Sequence, residues 1–181
     1  MDICSRTILI LLLCFGSVGA WTQIIYTASF THALRQAGIE YAEPVEQWLH
    51  VTIPPDDEFM EYDLVLQNDR NDFEVRYHFA DENSAIPASI AVSRLVASIA
   101  VNDEAQNIVV RIPPEEFLKD AFNADRGVLV QFTPKETFSE KRHGAFLSLY
   151  ADGRPSVNVV LLYMDQSFDP LTMYRSVRYR D

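Results

Sequence analysis

The sequence predicts an α+β fold: a largely antiparallel sheet of about six to seven strands packed by two or three helices. Two observations carry that reading. Apolar residues recur with a period of two in several short runs and at helical spacing in three others, and no linker-like stretch divides them. The runs also come in blocks, in the order α-β-β-β-α-β-α-β-β-β, rather than in the strict alternation that builds a parallel sheet.

Each element has its own warrant. Residues 30–37 place Phe30, Ala33, Leu34 and Ala37 on one helical face, with Ser29 as the expected cap and Gly38 as the stop, which predicts a short docking helix. From Val45 the period becomes two: Leu49, Val51 and Ile53 face one way, and Trp48, His50 and Thr52 the other, until Pro54-Pro55. Residues 62–67 and 73–79 flank the turn-rich 68–72 and predict a hairpin. In its second arm Phe73, Val75, Tyr77 and Phe79 point inward against Glu74, Arg76 and His78, so one face is expected to be dry and the other wet.

Residues 87–101 read as a helix lying across the sheet, with Pro87 in the first turn and Val92, Leu95, Val96 and Ile99 on one face. A strand over 107–112 follows, and Pro113-Pro114-Glu115-Glu116 opens a helix expected to bury Phe117, Leu118, Ala121 and Phe122. Strands at 127–133, 145–150 and 157–164 close the chain, with Asp152-Gly153 as a turn between the last two. The run 157–164 lacks alternation, as a central strand covered on both faces does. The expected division is a signal peptide over 1–20, an N-terminal docking-helix segment over 21–44, a single α+β domain over 45–168 and a basic C-terminal tail over 169–181.

The hairpin 62–79, the apolar helix after it, the short Pro-Glu-Glu-Phe helix and the closing strands together resemble the Mog1/PsbP-like α+β sandwich over roughly residues 45–165. That resemblance implies an accessory or binding role, because the group includes exported accessory proteins without an enzymatic site. It brings no residue-specific motif with it.

Composition bounds the function. The chain has 181 residues, 48% of them hydrophobic, which excludes a disordered tail, a collagen-like repeat and a multipass membrane protein. A net charge of -11 argues against a nucleic-acid partner, which would need a basic face. Arg6, the apolar run 8–15 and the small residues Val18-Gly19-Ala20 predict export, periplasmic or secreted, after cleavage near Ala20. Both cysteines, Cys4 and Cys14, fall before that point; Leu13 argues against lipid attachment at Cys14. The exported chain is expected to have no disulfide and no transmembrane segment.

No Gly-x-Ser-x-Gly elbow, His-Glu-x-x-His, phosphate-cradling loop or calcium loop of the helix-loop-helix kind occurs. His50 and His78, on the polar faces of their strands, would hold zinc with Glu74 if their strands paired; two solvated histidines are the plainer reading. Between Glu40 and Glu74 stand eleven acids and one base, Arg70. Its clusters Asp56-Asp57-Glu58 and Asp69 to Asp72 are candidate calcium loops, although such turns need no ion. No cofactor is therefore expected, with calcium and zinc as the ions to test.

Two basic features are candidate contacts for a protein or an anionic envelope component. Lys141, Arg142 and His143 lie in the loop 134–144, and Arg175, Arg178 and Arg180 crowd the C-terminus beside Tyr174 and Tyr179, where folding back onto the acidic segment is the plainer reading. Trp48 is a further candidate contact, unless the helix over 87–101 buries it. The sequence thus favours an exported, non-enzymatic accessory or binding protein. The alternatives are a hydrolase with a metal or paired-carboxylate site on the polar sheet face and a calcium-stabilised extracellular module.

Overall fold

A computed structural model describes residues 26–44, 49–54, 60–80, 88–101, 108–165 and 170–181. Helix α1 (Ala28–Gln36) leads into β1 (Ile39–Tyr41), then β2 (Leu49–Thr52), β3 (Leu64–Asn68), β4 (Phe73–Ala80) and α2 (Ala88–Ile99). The second half runs β5 (Val109–Arg111), α3 (Glu115–Phe122), β6 (Arg126–Phe132), β7 (His143–Tyr150), β8 (Ser156–Tyr163), α4 (Leu171–Tyr174) and β9 (Val177–Tyr179). Seven strands form one antiparallel sheet in the order β2-β3-β4-β8-β7-β6-β5. The α+β expectation and the central position of residues 157–164 are met: β8 lies between β4 and β7 and is buried from Val157 to Tyr163.

The sheet has two dry faces, which corrects the expectation of a wet one. On the first, Phe73, Val75 and Tyr77 of β4 join Leu147, Leu149, Val159 and Leu161 beneath α1, α3 and the terminal segments, with Phe30, Leu118, Phe122, Tyr174 and Tyr179 in that core. On the second, Val65, Val130, Phe146, Val160 and Leu162 lie under Val92, Val96 and Ile99 of α2 and under Phe138. Arg76, expected in water, is only 4% exposed. Its guanidinium bonds Glu74 and lies 5.1 Å from the Tyr62 ring centroid and 4.6 Å from that of Phe138. Burial works against its charge, but Glu74 and Tyr62 more than compensate and hold its pKa above the ordinary arginine value.

Local chemistry explains the ends. Thr27, rather than Ser29, caps α1, its hydroxyl accepting from Phe30 N at 3.2 Å, because the helix starts earlier than the apolar spacing suggested. Asn123 ends α3 in the left-handed region, and Ala124 N reaches back to Leu118 O at 3.2 Å. Gly144 lets β7 pass under Phe132: an added Cβ would meet that ring at 2.5 Å. Ile53, grouped by period with Leu49 and Val51, is exposed because β2 has already ended at Thr52.

The expected docking helix and C-terminal tail belong to one layer. Short β1 pairs antiparallel with β9, setting Ile39 opposite Tyr179 and Glu40 opposite Arg178. Tyr179 donates its hydroxyl to Pro155 O at 2.8 Å, so residues 170–181 are packed against the body of the protein. Among the described residues no helix is long and apolar enough to cross a membrane.

Candidate functional site

The structure separates the residues proposed for zinc. His50 and His78 share the second face, but β3 lies between their strands, and the register puts Glu74, not His78, in the His50 row. Two interstrand spacings and a four-residue offset set the two histidine backbones roughly 16 Å apart. Each has its own acid: His50 Nδ1 lies 3.3 Å from Asp69 and His78 Nδ1 3.9 Å from Asp63, while Glu74 serves Arg76. No group of three or more His, Cys, Asp or Glu side chains suited to a metal occurs among the described residues.

The basic candidates are also dispersed. Lys141 is buried and donates to Asn71 Oδ1 at 2.7 Å, tying the loop 134–144 to the hairpin turn; Arg142 is exposed, and the His143 ring lies against Tyr163. Lys135 donates to Ala97 O and Ser98 O at the end of α2, so this loop is built into the fold. Arg175 and Arg180 are exposed, whereas Arg178 is half-buried and donates to Asp120 O. Trp48 and the cluster Asp56-Asp57-Glu58 lie outside the described residues.

Two polar groupings remain within the body. Tyr26, Tyr41 and Tyr77 surround Phe30 with ring centroids 5.2–6.2 Å from it, and the Tyr26 and Tyr41 hydroxyls are buried without a hydrogen-bond partner among the described residues. Burial pushes the Tyr77 hydroxyl up to about 12, although Ser176 bonds it at 2.9 Å. On the second face Ser148 Oγ lies 2.7 Å from both Asn158 Oδ1 and the Tyr150 hydroxyl. Phe30 fills the first grouping, and the contacts of Ser148 run within the sheet.

The outer strand β5 is different. A single cross-strand row runs over the whole sheet on the second face: Thr52, Val65, Arg76, Val160, Phe146, Val130 and Val110. Cover by α2 and Phe138 buries it from Val65 to Val130, then stops, leaving Val110 60% exposed. Ile108 and Ile112, one residue beyond either end of β5 and at the positions alternating with Val110, are 37% and 80% exposed. Val109, on the opposite face, is exposed as well. Three β-branched side chains thus form an apolar stripe on a strand whose outer backbone edge carries no neighbour in the sheet among the described residues.

Chemically this arrangement can accept a strand. Open N–H and C=O groups supply the ladder, the stripe supplies burial, and Pro113-Pro114 limits its length. The sequence revealed the strand but not its position in the sheet, since strand order is set by contacts distant along the chain. No protein-family model matches the chain, and no curated protein or solved structure matches it either.

Proposed function

We propose that this chain is an exported accessory or binding protein, released near Ala20, that engages a protein partner by strand addition to β5. The observation that carries the reading is the stripe Ile108, Val110 and Ile112 on an open strand edge. The Mog1/PsbP-like resemblance leans the same way. The partner on this reading is an extended segment with apolar residues at alternate positions, recognised through its backbone and through contacts along the stripe. The role needs no cofactor.

A synthetic peptide carrying residues 108–112 between solubilising lysines is a direct probe. It is expected to bind the exported chain saturably and to lose at least tenfold in affinity to Val110→Lys, a substitution at an exposed position that leaves the melting temperature nearly unchanged. Equal binding by both proteins, or none by either, would refute the edge as the contact surface.

A further inference from the structure

We infer that the strand added to β5 is the β5 of a second copy, paired antiparallel about a twofold axis at Val110; this rests on the edge reading above and names its partner. The stripe is self-complementary. Pairing about Val110 sets it opposite Val110 of the second copy, and sets Ile108 opposite Ile112 of the second copy at each end, so every cross-strand pair on that face is apolar. On the other face Arg111 meets Val109 of the second copy, and no like charges oppose one another in the ladder.

Neighbouring registers are worse for identifiable reasons. A shift that centres the axis on Arg111 opposes two guanidinium groups and brings Pro113, which has no N–H, into the ladder. Centring it on Val109 leaves Ile112, the most exposed of the three, uncovered. A one-residue slip turns the stripe of one copy to the face opposite that of the other.

The acidic hairpin lies away from this edge. Asp63, Asp69, Asp72 and Glu74 lie toward β2, and six interstrand spacings put β2 about 29 Å from β5, well beyond the ~8 Å over which exposed charges interact at physiological salt; the acids nearest β5 in sequence, Asp103, Glu104, Glu115 and Glu116, lie outside the paired stretch 108–112. Two copies meeting at β5 therefore keep those acidic regions at the far ends of the joined sheet. Closed twofold pairs are the commonest oligomers, and a twofold axis requires a patch that complements itself. Three side chains per copy bury less than the roughly 1,200 Å² of a standard interface, so the dimer is weak and forms only at high concentration.

Cysteine crosslinking reads the register, because no cysteine follows Ala20. Residues directly opposed in an antiparallel pair have Cα atoms about 4.5–5.5 Å apart, within disulfide range. Under mild oxidation Val110→Cys is expected to form a covalent dimer at least tenfold faster than Val109→Cys or Arg111→Cys alone, and an equimolar mixture of the latter two to form the mixed dimer. Crosslinking with no such preference, or a wild-type chain that sediments as a monomer at about 1 mM, overturns the inference. A monomer that still binds the 108–112 peptide, with loss on Val110→Lys, removes the second copy alone; a monomer that binds no peptide removes the edge reading as well.

Discussion

The two edges of the sheet solve the same problem differently. On β2, at one edge, Leu49 and Val51 reach the first core, His50 faces Asp69, and the second-face row ends in Thr52. On β5, at the other, that row ends in Val110, flanked by the partly exposed Ile108 and the largely exposed Ile112. A strand that contributes side chains to a core has a reason to be where it is from within the fold. β5 is exposed at all three positions and contributes little inward, so its apolar character is better explained by something outside.

The largest effect expected from this contrast is on stability. Leu49→Ala removes a buried side chain and should cost about 2–4 kcal/mol, whereas Val110→Ala should stay within about 0.5 kcal/mol, both by denaturant unfolding at low protein concentration. A large loss at Val110 in the monomer would mean that β5 is a structural strand after all, and the contrast would fail.

Acidification should give a smaller, one-sided effect. Asp63, just before β3, accepts from Phe79 N at 2.8 Å, and burial raises its pKa above the ordinary 3.8 despite that bond and nearby His78. The folded state therefore holds this proton more tightly than the unfolded chain. Its stabilising contribution is complete below the unfolded value and is lost as pH rises through the folded one. Comparing unfolding of wild type and Asp63→Asn across that range isolates the contribution, and the variant should lack this part of the slope. Residues 108–112 contain only Arg111 as a charged group, so pairing through β5 should not change over the same range.

Most of the elements were legible in the sequence. Period-two runs locate β2 and β4, apolar runs between turn signals locate β3 and β6 to β8, and the spacing of Val92, Val96 and Ile99 locates α2. What stayed hidden was non-local. Strands β1 and β9 have three residues each, too few to show a period, and they stabilise one another from opposite ends of the chain. The burial of the second face is hidden in the sequence because Glu74, Arg76 and His78 alternate like exposed residues, while Tyr62 and Phe138, distant in sequence, cover the guanidinium. His50 and His78 share a face of the sheet, but only the register shows that β3 divides them. The stripe itself was in view as a strand; its exposure follows from the ending of the sheet at β5.

Amide hydrogen exchange on the two outer strands, followed as protein concentration rises, tests the central claim most directly. Pairing at β5 predicts that the outward amides among residues 109–111 slow severalfold between about 10 μM and 1 mM, while those of residues 49–52 keep a constant rate. Constant exchange at β5 over that range, or protection appearing at β2 instead, would contradict the account.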